Sequence, residues 1–136
     1  MEISASQKAL IITTVFQMIP DCQALYLFGS HATGLSVKGS DIDLALLRPG
    51  RIEANMLLEL NNKLSQALLL PIDLIDLHQA STIMRYEIIR QAQELAVTDT
   101  LASNLFASHS WSDYVEFTVL RQPMIDDIKA RGYIYG

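Results

Sequence analysis

The chain has one cysteine, Cys22, in its 136 residues. No intrachain disulfide can form. With no basic neighbour to lower its pKa, the thiol reads as a small core group and not as a nucleophile. Histidine is nearly as scarce, and His78 and His109 have no partners at metal-ligand spacing, so neither is assigned chemistry. Positive charge is also short, with 10 Lys and Arg against 15 Asp and Glu, a net charge of −5 and a pI near 5.0. That balance argues against a dedicated nucleic-acid surface, and no direct nucleic-acid binding is expected. A nucleotide held locally by metal ions and backbone amides remains compatible with it. No run is long and apolar enough to span a bilayer. The opening MEISASQKALIITTVFQMIPDC has the apolar middle of a leader. It carries Glu2 where a positive segment belongs, Gln17 within the apolar face, and no small-residue cleavage site. A soluble, cytoplasmic chain is expected.

What is present is globular: half the residues are hydrophobic and 18% are charged. The length predicts a single domain over residues 1–136 with a real core. Ser6 to Ile19 places Leu10, Ile11, Val15 and Met18 on one helical face, with Pro20 just beyond. ALYLF (24–28) reads as a buried strand that stops at a Gly-Ser pair, and residues 30–34 as a helical turn or a compact loop. DIDLALL (41–47) is a second strand. Glu53 to Leu69, with Leu57, Leu60, Leu64 and Leu68 on one face, is a helix, and PIDLIDL (71–77) is a third strand. A helix from about Ser81 to Gln93 follows with Met84, Ile88 and Ile89 inward, and LAVTD (95–99) reads as a short fourth strand. Residues 100–131 form a helical tail expected to break near Pro123. The order predicts an α/β (α+β) fold, a small mixed sheet with helices packed on it.

Chemistry concentrates in GSHATGLSVKGSDIDLAL, residues 29–46. Alternation along a strand sends Asp41 and Asp43 to one face and Ile42, Leu44 and Leu46 to the other. Two carboxylates so close repel one another and raise one pKa unless a cation lies between them. Asp73, inside the third strand, offers another carboxylate. Asp76, three residues on, must face the opposite way, and Asp73 is favoured for lying deeper in the apolar run. Three carboxylates from two strands suit Mg²⁺, a hard cation that takes oxygen ligands. Two such ions can hold a triphosphate and activate an attacking hydroxyl. Gly29 permits close backbone approach to a phosphate, and the Ser30 hydroxyl can bond its oxygens.

The stretch Gly29, Ser30, ten residues, Asp41, Ile42, Asp43 resembles the signature of the DNA polymerase beta-like nucleotidyltransferase superfamily. The small size is similar to its minimal nucleotidyltransferases, antitoxins that act beside HEPN-domain toxins. The likeness spans roughly residues 8–100 and implies a nucleotidyltransferase fold. It implies that Asp41, Asp43 and Asp73 bind a pair of catalytic Mg²⁺ ions, and that Asp73 also helps deprotonate the incoming hydroxyl. Gly29 and Ser30, with Ser40, would hold ATP. The implied activity is transfer of AMP from ATP to a tyrosine of the HEPN toxin, which silences it. Two alternatives are an antitoxin that neutralises by contact alone and a transferase acting on a small molecule such as an aminoglycoside. The chain departs from the family pattern by carrying His31 and Thr33 where an arginine is common. Lys38, Arg48 or Arg51 are then the candidates to supply positive charge.

His31 reads either as a contact to phosphate or acceptor or as a solvent-facing loop residue. Trp111, Tyr114 and Phe117, at i, i+3 and i+6, read as a core-facing helical stripe. Any aromatics of the tail left exposed, Tyr133 and Tyr135 included, would mark a protein interface.

Overall fold

The computed structural model describes residues 3–34 and 41–131. Lys38, Ser40, Tyr133 and Tyr135 lie outside them. The chain runs α1 (Ala5–Met18), β1 (Ala24–Phe28), α2 (Ser30–Thr33), β2 (Ile42–Leu47), α3 (Ala54–Leu68), β3 (Ile72–Asp76), α4 (Thr82–Gln91), β4 (Gln93–Val97) and α5 (Thr100–Arg131). The strands form one sheet in the order β3-β2-β1-β4. β1 pairs antiparallel with β2 and with β4, while β2 and β3, joined through α3, run parallel. A mixed sheet with helices is the fold class the sequence predicts.

Both faces of the sheet are covered. Leu25 and Leu27 of β1, Ile42, Leu44 and Leu46 of β2, and Ile72 and Leu74 of β3 share one core with Ile11 and Val15 of α1 and Leu60, Leu64 and Leu68 of α3. The alternate residues Ala24, Tyr26, Ala45, Leu47 and Leu77 form a second core with Ile88 of α4, against which Phe106 of α5 packs. Cys22 is fully buried, and burial pushes its thiol up to about 11, in keeping with a core role. Tyr26 reaches across to α5, its hydroxyl 2.5 Å from the buried Ser103 Oγ.

Local chemistry sets the helix ends. Ser4 caps α1 in a reciprocal box: its Oγ accepts from the Gln7 N–H at 3.1 Å and its own N–H donates to Gln7 Oε1 at 2.9 Å. Ser81 caps α4 by accepting from the Met84 N–H. α3 ends on Leu69 at φ 57°, a left-handed position filled by a β-carbon-bearing residue.

Four expectations need correction. Leu10 and Met84 are exposed, because the inward arcs of their helices centre on Ile11 and Val15 and on Ile88. The fourth strand starts earlier, at Gln93, where pairing with Leu27 outweighs the polar character of Gln93 and Glu94. Asp41 lies just before β2 and not within it. α5 runs unbroken through Pro123.

Candidate active site

One end of the sheet gathers the motif. β1 delivers Gly29 at its exit, β2 enters with Asp41 and Asp43, and β3 enters with Asp73. Parallel pairing sets Asp43 directly opposite Asp73, and antiparallel pairing sets Asp43 opposite Phe28, next to Gly29. Neighbours across a ladder share a face, so both carboxylates emerge on the α4 side of the sheet. Asp43 is the only residue of β2 that is not buried.

Charges accumulate around it. Partial burial holds the Asp43 carboxyl above its ordinary value, the carboxylates of Asp73 and Asp41 push it further, and His31 opposes them. Gly29 (φ 72°) stands against this group, and a β-carbon there would fall onto Asp43 Oδ2 and sit 3.1 Å from its Cγ. The glycine thus has two functions: it adopts a backbone angle that other residues avoid, and it leaves room for the carboxylate. α2 follows immediately, closes on Gly34 at φ 79°, and is tied to the sheet by Gln93 Nε2 donating to the Ala32 carbonyl at 3.2 Å. No local signal marks Gln93 for this contact, since only folding brings β4 alongside α2.

The two aspartates of β3 divide as strand alternation requires. Asp73 is exposed on the face of Asp43. Asp76, 4% exposed, points to the other face, accepting from Ile52 N–H (2.7 Å), His78 N–H (3.0 Å) and Gln79 Nε2 (2.9 Å). Asp73 thus lies beside Asp43, but it is not the deeper of the two as expected: Asp76 is the buried one, and its oxygens are taken up by structural hydrogen bonds.

The other polar candidates fall out differently. His31 is buried beside Asp43, so the solvent-facing alternative is wrong. Arg48 follows β2 at its far end, about 16 Å from Asp43 at 3.3 Å per residue. There its Nη2 is 2.5 Å from Asp21 Oδ2 and its Nη1 donates to the Arg51 carbonyl. Neither Arg48 nor Arg51 can replace a phosphate-binding arginine near Gly29. Trp111 is exposed, while Tyr114 and Phe117 are half-buried, so the predicted aromatic stripe divides.

The donor set fits a hard cation: oxygen ligands only, negative charge concentrated on one face, and a carboxylate whose raised pKa a bound cation would relieve. Among the described residues no three such side chains converge closely enough to enclose an ion. Repulsion among uncompensated carboxylates opposes that convergence.

Comparison with known proteins places this geometry. Residues 11–101 match the family model described as polymerase beta, nucleotidyltransferase. The chain is 37% identical over 120 residues to protein adenylyltransferase MntA of Shewanella oneidensis, covering 88% of this chain and 86% of that one. Its fold is similar to that of a chain in the crystal structure of a toxin–antitoxin with AMP-PNP, with a TM-score of 0.80 at 35% identity, covering 90% of this chain and 98% of the other. It is also similar to a chain in the complex of tri-AMPylated Shewanella oneidensis HEPN toxin with MNT antitoxin, with a TM-score of 0.76 at 33% identity over 91% and 97% of the two chains.

Proposed function

This chain belongs to the polymerase beta nucleotidyltransferase family, and on that premise we propose that it is an antitoxin that transfers AMP from ATP to a tyrosine hydroxyl of a HEPN-domain toxin and so neutralises it. The observation that carries this reading is the pairing of Asp43 with Asp73 across β2 and β3, beside a glycine that leaves space for the Asp43 carboxylate. The similar chain complexed with AMP-PNP supports a nucleoside triphosphate as donor, and the tri-AMPylated toxin supports a protein acceptor.

In the reaction the acceptor oxygen attacks the α-phosphorus, a new P–O bond forms, and the bond to the pyrophosphate oxygen breaks in line. Asp73, the more open carboxylate, receives the hydroxyl proton on a carboxylate oxygen. Gly29 and Ser30 bind the triphosphate, with Ser40 as a further contact. Asp41, Asp43 and Asp73 would hold Mg²⁺, which when bound supplies charge neutralisation on the phosphates. Asp43 is held above its ordinary pKa by burial and by the neighbouring carboxylates, and a bound cation would relieve this.

The test incubates the chain and the toxin with Mg²⁺ and ATP labelled at the α- or the γ-phosphate. Label from the α position alone should appear on a toxin tyrosine. Toxin neutralised with no label transferred would favour binding without catalysis, and label on a small molecule alone would overturn the protein acceptor.

A further inference from the structure

Among the described side chains of the long helix α5, up to position 119, one face is used by the fold. Ser103, Phe106, Ser110, Tyr114 and Phe117 turn inward, and Tyr114 stacks on Tyr86 of α4 with ring centres 3.7 Å apart. Leu101, Leu105, Trp111, Val115 and Val119 keep between 37% and 69% of their surface exposed, although Leu105 also borders a shallow pocket with Leu47, Arg48 and Pro49. At 100° per residue these five fall within roughly 120° of arc. The other members of that arc up to position 119 are Asn104, Ser108 and Ser112, so no charge interrupts it over about five turns. Scattered exposed apolar residues are ordinary on a protein surface, but a continuous stripe marks an interaction site.

The spacing describes the occupant. Positions 101, 105, 108, 112, 115 and 119 alternate steps of four and three, the seam along which a second helix packs at a shallow angle. Ser108 and Ser112 keep its middle low, which allows close approach. Trp111 stands at the margin, 5.7 Å from the Tyr86 ring, beside a notch of about 130 Å³ lined by Tyr86, Ile89, Arg90 and Trp111 that can take one anchoring apolar side chain.

A second copy of the chain fits poorly. The seam is about 27 Å long and one helix wide, on the order of 300 Å² per chain, whereas stable interfaces bury about 800 Å² per partner. An acceptor protein is not limited to the seam, because the catalytic end of the sheet also engages it. We infer that this face of α5 docks the acceptor protein, which lays an amphipathic helix along Leu101 to Val119 while presenting its hydroxyl to the carboxylates. The inference rests on the protein-acceptor reading above.

The experiment identifies the acceptor as the protein that takes up α-phosphate label from the full-length chain, and not from Asp43→Asn, in extracts of the source cells. Steady-state kinetics then compare the wild type with Leu105→Asp and Val115→Asp, with Val115→Ile as the conservative control. Both Asp variants should raise KM for the acceptor about tenfold or more, leaving KM for ATP and the melting temperature unchanged. Val115→Ile should behave as wild type. A photoreactive benzophenone side chain at position 115 should cross-link to the labelled acceptor. Unchanged KM for the acceptor in both Asp variants, or cross-linking only to a second copy of the chain, would overturn the inference. Failure of the wild type to label any protein would remove the protein acceptor itself, and the docking surface with it.

Discussion

At the scale of single residues the site is defined by what surrounds Asp43. Its raised pKa carries a sign that can be measured. Burial first, then Asp73 and Asp41, lift the folded-state value above the ordinary 3.8, so the folded chain holds that proton more tightly than the unfolded chain. Ionising Asp43 therefore costs stability. The cost is absent below the ordinary value and complete once pH has risen past the raised one. Asp43→Asn should melt at or above the wild-type temperature at pH 7, lose that advantage near pH 3, and transfer AMP about a hundredfold more slowly or worse. Melts across pH beside a transfer assay check both halves. Gly29→Ala should also be inactive, because its β-carbon displaces the Asp43 carboxylate. The aspartates of β3 should separate cleanly. Asp73→Ala should abolish transfer with little change in the melt. Asp76→Ala strands the Ile52 and His78 N–H groups and should cost roughly 2–4 kcal/mol, while the protein that remains folded stays active. Inactive, normally melting Asp76→Ala would mean that the two roles are reversed.

At the scale of elements, what the sequence disclosed follows from how local each signal is. Leu60, Leu64 and Leu68 define the buried face of α3 through spacing alone, and the alternation of Ile42, Asp43 and Leu44 gives the faces of β2. The opposed directions of Asp73 and Asp76 follow from the same two-residue period. The misreadings concern non-local partners. Gln93 and Glu94 look like loop residues until β1 pairs with them, and Arg48 looks available until the fold sets it at the far end of β2 against Asp21. Asp76 seemed superficial because the Ile52 N–H that helps bury it lies 24 residues away in sequence and meets it only in the folded chain, beside the local donors His78 and Gln79. One element carries a local conflict. Leu69 closes α3 in the left-handed region while 86% exposed, so its side chain gains little from packing. Leu69→Gly should relieve about 1–2 kcal/mol of backbone strain against an entropic cost of about 0.5–1. The net gain should raise the melting temperature by about 2–4 °C, and a lower melting temperature would show that Leu69 packs in solution.

At the scale of the whole molecule, the sheet separates labour between its ends and its faces. The carboxylates stand at one end, where β2 and β3 begin side by side, and the structural polar network of Arg48, Asp21, Asp76 and His78 stands at the other. α1 and α3 seal one face, and α4 and α5 the other, leaving the outer arc of α5 for a second protein. Net negative charge suits this arrangement, since the only anion the site must hold is a nucleotide, and a cation can be recruited to the same carboxylates. We propose that the Asp43–Asp73 pair makes this chain a transferase of AMP to protein. The most direct test of this claim is the α-labelled ATP reaction with Mg²⁺ and the toxin, run on the wild type, Asp43→Asn and Asp73→Ala in parallel and read as label per toxin tyrosine. The wild type should label the toxin and relieve its toxicity, and both variants, folded and still bound to the toxin, should do neither. Equal labelling by either variant, or neutralisation by both without label, would contradict the claim.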